Sequence, residues 1–447
     1  MALPPDEKDL IAKLSEKLDK YRAINRNKTS YYEGSHIPAQ VGFAVPPAMK
    51  NNAPHVGWAG VVVDALEERL NFLGWNDPSK TLGLDEVYSA NHLDVEASLA
   101  HLDALIFGTG FVEVGAGQAG EPNPLVTIEP TMNITGEWNP RTHQLSSALA
   151  VDYDDDGKPA QAALFLPNQT ITLGWASTGW AEVLRDIHHL GRVPVVMLPN
   201  WTSGSMRQGR SEITAPVRDL VDEAARVLLS MAVNREFFSG PQRIVMGVAP
   251  DDIDKWKALT TGIWTIEPDS NGDLPTIDTF PKVEPGAHID QLHALAAQMA
   301  TTTGVPGAYF GLTPTANPSS ADAIRASEVR LIKKAERRCA MFGKAWLEVA
   351  ELILLVRDGQ VPPEFAKVSC RWADPATPTA AAKADEAAKL VGAGILPATS
   401  SVTLDRIGLT TTEQTQVAAD RAATPTMTDV LAGVAGRHDE PADDTEV

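Results

Sequence analysis

Cysteine is scarce: Cys339 and Cys370 are the only two in 447 residues. Two thiols so widely separated make neither a disulfide framework nor a zinc-binding spacing. The expected compartment is a reducing cytoplasm. Cys339 falls on an apolar stripe and reads as a buried thiol. Basic residues are outnumbered, 38 Lys and Arg against 58 Asp and Glu, giving a formal charge of −20. That balance argues against tight, sequence-independent binding of nucleic acid, which relies on Lys and Arg to neutralise phosphates. It leaves open a protein that handles DNA without holding it, for which a repulsive field is an advantage. No apolar run reaches the length of about 18 residues that a membrane helix needs. The charged, amphipathic start MALPPDEKDLIAKLSEKLDKY lacks the basic-then-apolar order of a secretory signal.

Chemical motifs are equally sparse. Gly115, Gly117 and Gly120 spell G-x-G-x-x-G after a strand-like run, but Pro122 and Pro124 follow where a dinucleotide site needs a helix to begin. A simple loop is expected. Asp152 to Gly157 imitate the opening of a calcium loop, yet Ala163 stands where the bidentate Glu belongs. A solvated hairpin is expected there. No P-loop, H-E-x-x-H or G-x-S-x-G occurs. His188 and His189 are adjacent and point apart on a regular element, and His288 and His293 share a helix face poorly. The stretch NWTSGSMRQGRSE (200–212) has the composition to cradle an anion, but reads first as a mobile connector. No catalytic residue, cofactor or metal is expected.

What is present is a core-forming composition, 43% hydrophobic, on a chain long enough for two or three domains. Amphipathic helices are expected at 6–25, 57–75 and 92–108. A strand-rich region should run from Thr109 to about Pro199, with a hairpin at Asp155-Asp156-Gly157. Helices should follow at 214–238 and 287–304, enclosing a small mixed unit with a turn at Asn271-Gly272. Helix 214–238 carries more than one apolar row (Val217, Leu220, Val221, Ala224, Leu228, Met231 and also Val227), so it should be covered on several sides. A very long helix follows Asn317-Pro318, a capping side chain before a proline. Its stripe is Ala335, Cys339, Phe342, Trp346, Val349, Ile353 and Val356, in alternating steps of four and three. The preceding loop, GVPGAYFGLTPTANPSS, contains no charged residue. AKVSCRW (366–372) is strand-like, an Ala-rich helical appendage follows, and the chain beyond about Ala423 has the composition of disorder.

YYEGSH (31–36), VPVVMLPN (193–200), TAPVRDLVDEAARVLLSMAVNREFF (214–238), GVPGAYFGLTPTANPSSADAIRASEVRLIKKAERR (304–338) and ADEAAKLVGAGILP (384–397), in this order, resemble the portal proteins of tailed bacteriophages, the head-to-tail connectors of the long-tailed type. The resemblance implies an α+β portal fold with a mixed α/β wing, a two-helix stem, a small α/β clip, a long wing helix and a helical C-terminal crown. By position it makes 1–213 wing, 214–238 and 286–304 stem, 239–285 clip and 305–319 tunnel loop. The long helix and return to the wing fall at 320–377, the crown at 378–423 and a tail at 424–447. It implies a ring, dodecameric in such proteins, that conducts double-stranded DNA. Its partners would be the terminase large subunit, then the head–tail adaptor, and the major capsid and scaffolding proteins. Tyr309, Thr313, Pro314, Thr315, Ala316 and Asn317 would face DNA, and Asp269, Ser270, Asn271, Gly272 and Asp273 would form the docking turn of the clip. Lys333, Lys334, Arg337 and Arg338 are candidates for a basic channel surface or a solvated helix face. Two other readings stay open: another head-completion or minor capsid protein, and a soluble enzyme whose site escapes the motifs above.

Overall fold

The computed structural model describes residues 3–39, 45, 49, 54–176, 179–200, 203, 208–238, 243–246, 276–279, 286–312, 321–409 and 411–423. Two compact units divide the chain, 1–375 and 376–447. The architecture is α+β.

The first unit opens with helix α1 (Pro5–Tyr32), started by a proline in its first turn and by Asp6 and Glu7 near its positive end. It runs past the expected boundary and takes in the first two residues of YYEGSH. Helix α2 (Trp58–Glu67) is shorter than expected. The apolar run after it changes period and becomes strand β1 (Phe72–Asn76). Helices α3 (Leu84–Ala90) and α4 (Leu93–Phe107) follow, α4 ending on Gly108 in the left-handed conformation.

The strand-rich region builds two antiparallel sheets. Strand β2 (Thr109–Gly115) lies between β3 (Leu125–Glu129) and β9 (Val195–Pro199). A five-stranded meander runs through β4 (Ile134–Asn139), β5 (Gln144–Tyr153), β6 (Pro159–Phe165), β7 (Thr170–Ala176) and β8 (Gly179–Asp186). The G-x-G-x-x-G segment is the β2–β3 connection, and no helix begins there. The aspartate run turns β5 into β6, with the Asp154 side chain accepting from the Lys158 amide at 2.8 Å.

Ala148, Leu149, Ala150 and Val151 of β5 are all buried because both faces of the meander are covered. Leu149 and Val151 pack, with Leu164 and Ile171, under Ile11, Leu14 and Leu18 of α1. Ala148 and Ala150 face the opposite way, toward Phe111, Val195 and Met197 of the smaller sheet.

Helix α5 (Ala215–Phe238) packs against α6 (Gly286–Thr303). Strands β10 (Arg243–Met246) and β11 (Thr276–Thr279) pair antiparallel between them in sequence. Helix α7 (Ala321–Asp358) is 38 residues long, about 57 Å at 1.5 Å per residue. Ala335, Cys339, Phe342, Trp346, Val349 and Ile353 of its expected stripe are buried, and Val356 is half-buried. The Trp346 indole donates to His101 Nε2 at 2.9 Å, Trp75 donates to the Trp346 carbonyl at 2.9 Å, and Phe72 stacks on Trp346. Complete burial holds the His101 imidazole neutral, pushing its pKa down to about 3. Strand β12 (Ser369–Trp372) returns to pair antiparallel with β1, closing the first unit across nearly the whole of its sequence.

In the second unit, α8 (Ala380–Gly392) and α9 (Ser401–Ile407) begin on Thr379 and Ser400, whose hydroxyls accept from the amides of Ala382 and Val402. Helix α10 (Thr411–Ala423) follows, and Arg406 pairs with Glu386 at 2.7 Å. Among the described residues no helix is long and apolar enough to cross a membrane.

Candidate functional site: the clamped base of an uncharged loop

Helix α6 ends where Gly304 takes φ +79° and returns its amide to the Ala300 carbonyl at 2.8 Å. A Cβ there would meet the Arg330 side chain at 2.9 Å, so glycine suits both the turn and the packing. Arg330 lies over this turn and donates to the Thr301 carbonyl at 2.7 Å, neutralising the negative end of α6. Val305 and Pro306 are buried, and one 3-10 turn (Gly307–Phe310) drives Phe310 into the core edge-on to Trp58. Leu312 folds back to the Gly307 carbonyl at 3.2 Å.

The far side of the loop is gripped through α7. Tyr309 donates its hydroxyl proton to Glu328 at 3.2 Å and accepts from Arg69 at 3.2 Å. Arg69, itself buried, pairs with Glu328 at 3.2 Å and donates to the Pro375 carbonyl at 3.1 Å. Burial raises the Tyr309 phenol and the Glu328 carboxylate raises it further, so the hydroxyl keeps its proton as donor. Three segments remote in sequence thus converge on one hydroxyl and fix both ends of the stretch between Leu312 and Ala321.

Of the residues the sequence offers for DNA contact, Tyr309 is this keystone and is partly exposed. Thr313, Pro314, Thr315, Ala316 and Asn317 lie outside the described residues, as do Asp269, Ser270, Asn271, Gly272 and Asp273 of the expected docking turn.

The structure divides the four basic candidates on α7. Lys333 and Arg337 are exposed, and Lys333 forms a surface pair with Glu336. Lys334 and Arg338 turn inward onto Glu212, each at 2.7 Å. Arg338 is 2% exposed, so its assignment to a solvated face or channel wall is corrected: it is an interior cation. Burial alone would raise the Glu212 carboxyl, but the two cations overcome this and bring it down to about 2. Asn200, fully buried, donates to Glu212 at 3.1 Å and to the Arg210 carbonyl at 2.7 Å.

The stretch 200–212, expected as a mobile connector, is therefore tied down in its described part. Gly209 is required there: its φ is +87°, and a Cβ would fall 1.9 Å from the Gly108 carbonyl oxygen. Sequence reasoning missed Glu212 altogether. Arg338, by contrast, had a signal: Leu331, Ala335, Arg338 and Phe342 follow the four-three-four spacing of the buried stripe.

YYEGSH acquires a physical role. Tyr31 stacks on His36 at 3.9 Å, and both reach Asp222 of α5, the phenol donating at 3.0 Å and the imidazole lying at 3.4 Å. Tyr32 donates to Asp64 at 2.9 Å. The motif pins α1 to α2 and to the first half of α5.

The described residues thus form an α+β body in which Arg69, Tyr309 and Glu328 tie the 307–312 turn to a single long helix, the architecture of a structural protein. The family model described as phage portal protein, SPP1 Gp6-like, matches residues 8–421. The chain is 38% identical over 390 residues to the portal protein of Mycobacterium phage D29, covering 83% of this chain and 79% of that one. It is 37% identical over 389 residues to the portal protein of Mycobacterium phage L5, covering 82% and 79%. Among solved structures, it is similar to a chain from the neck of an empty GTA particle computed with C6 symmetry, at 15% identity and TM-score 0.44, covering 83% of this chain and 92% of that one. For the neck of a native GTA particle computed with C12 symmetry the values are 13%, 0.43, 85% and 99%. The chain belongs to the SPP1 Gp6-like family of phage portal proteins. It is a structural protein of the virion, the portal at the capsid vertex for DNA packaging.

Proposed function

We propose that copies of this chain, made in the host cytoplasm, close into a dodecameric ring whose bore conducts double-stranded DNA inward during packaging and outward during ejection. The loop from Thr313 to Asn317 faces the passing duplex. The chain catalyses nothing itself; the work of translocation comes from the terminase large subunit, docked at the clip turn Asp269–Asp273 and later replaced by the head–tail adaptor. Residues 1–213 with α7 act as the wing against capsid and scaffolding proteins, α5 and α6 as the stem, and 378–423 as the crown.

One observation carries this reading: the Arg69–Tyr309–Glu328 clamp fixes the base of a loop that contains no Lys or Arg. Such a loop meets phosphates only through hydroxyl, amide and backbone donors, contacts that position without strong charge attraction. Support for the ring comes from α5, where Val227, Leu228, Met231 and Val233 remain only half-buried in a single chain. Heterologous contacts that close on themselves make rings.

Deleting Thr313–Asn317 tests the reading. The deleted protein should still assemble, as judged by light scattering and electron microscopy of the purified ring, while packaging falls. Normal packaging by that protein would remove the loop from the mechanism, and a monodisperse single subunit from the intact chain would remove the ring.

A further inference from the structure

Beside the loop base, a cleft of about 520 Å³ opens between the start of α5, the end of α6 and the first half of α7. Its volume falls within the range of roughly 300–1,000 Å³ usual for small-molecule sites. Among the described residues, six cationic side chains line it: Arg210, Arg330, Lys333, Lys334, Arg337 and Arg338. Among the described residues the acidic lining is Glu212 alone, and its two oxygens are already taken by Lys334 and Arg338. In a chain of net charge −20, this concentration of positive charge in one concavity runs against the whole composition.

The cations differ in what already satisfies them. Arg330 caps the end of α6, and Lys333 has its surface partner Glu336. Neither Arg210 nor Arg337 has an acidic partner among the described residues, and both are exposed at the mouth. Four of the six are arginines, whose planar forks match phosphate oxygens in pairs. The Thr214 hydroxyl and the first turn of α5 lie on the same wall, adding neutral donors and a favourable helix end. The Lys334–Glu212–Arg338 triad is already paired within the lining, so these groups are set before any ligand arrives.

We propose that this cleft is a binding site for a phosphate-bearing ligand, with Arg210 and Arg337 as its principal phosphate contacts. The chemistry is shared by a free polyphosphate, such as the triphosphate of a nucleotide, and by the backbone of a nucleic acid strand. The site stands on its own geometry and charge and does not depend on the conduit reading.

The test compares the full-length wild type with the Arg210→Ala/Arg337→Ala double variant, at fixed moderate salt, by calorimetric titration. Three probes are used: sodium tripolyphosphate, a short DNA duplex and a poly-glutamate peptide of matched charge. Both altered side chains are exposed and make no described ion pair, so thermal melting and assembly should match wild type. Tripolyphosphate should bind the wild type, with affinity lowered at least tenfold in the variant. If the duplex shows that loss and tripolyphosphate does not bind, the phosphate chemistry stands and its source is the nucleic acid backbone. Binding of neither phosphate probe, or equal binding by wild type and variant, overturns the proposal. Equal capture of poly-glutamate, lost to the same degree in the variant, overturns it in favour of a surface for acidic protein.

Discussion

The two halves of helix α7 have opposite characters. From Cys339 to Leu354 the helix is core: Phe342, Trp346, Val349, Ala350, Leu352, Ile353 and Leu354 are inaccessible, His101 of α4, Trp75 of β1 and Cys370 of β12 hydrogen-bond to it, and β9 packs against α7. From Ser327 to Arg337 only Leu331 and Ala335 are buried, and the rest is charge apart from Ser327, half-buried Ile332 and exposed Val329. The same rod is a foundation at one end and a mount at the other. The core half derives its rigidity from apolar area removed from water. The loop-bearing half derives its geometry from a few polar links, Arg69–Tyr309–Glu328 and Lys334–Glu212–Arg338. Burial is collective and insensitive to any one polar contact, whereas each link hangs on a single group.

Substitutions should therefore act very differently in the two halves. Trp346→Asp should abolish soluble folded protein, because it removes the central indole and buries an unpaired carboxylate. A folded variant by circular dichroism and thermal melting would mean that this face of α7 is not core. Glu212→Ala comes next: it withdraws the carboxylate from Lys334 and from nearly inaccessible Arg338, with an expected loss of about 3–5 kcal/mol in denaturant unfolding.

Acid probes the core half. His101 is neutral in the fold with a pKa near 3, and takes up a proton once unfolded at its ordinary 6.5. The unfolded state then binds more protons between those values. Stability present above pH 6.5 should fall on acidification toward 3, at roughly 1.4 kcal/mol per pH unit for this one group. His101→Gln should flatten that limb. Smallest is Tyr309→Phe, which should cost about 0.5–1.5 kcal/mol through its two hydrogen bonds. It should leave the melt of the first unit cooperative while loosening the loop base, seen as faster amide exchange at 307–312.

The same contrast explains what could be read beforehand. The core half of α7 was legible because its stripe repeats locally, and the β-rich region because its alternation and turn residues are local too. Strand β1 was absorbed into the preceding helix, since Phe72 and Trp75 continue an apolar run and their partners, Trp372 and Cys370, lie some three hundred residues away. Within that region strands β4 and β8 are the hardest to delimit, because Gly136 and the exposed Val183 and Leu184 blur their alternation. The loop's lack of charge was plain in the sequence. The clamp was not: Arg69, Tyr309 and Glu328 meet only through the tertiary fold, and nothing local to any of them announces the other two. Glu212 was hidden in the same way, inside a stretch whose glycines and serines suggest mobility.

The central claim is that the segment held between Leu312 and Ala321 touches the duplex as it passes. The direct measurement is site-specific photocrosslinking in particles arrested during packaging, with a photoreactive residue at Thr315 and a control at Val183 on the exposed edge strand β8. The account predicts crosslinks to DNA from position 315 and none from 183. Crosslinks from 315 to protein alone, with DNA unlabelled, would contradict it.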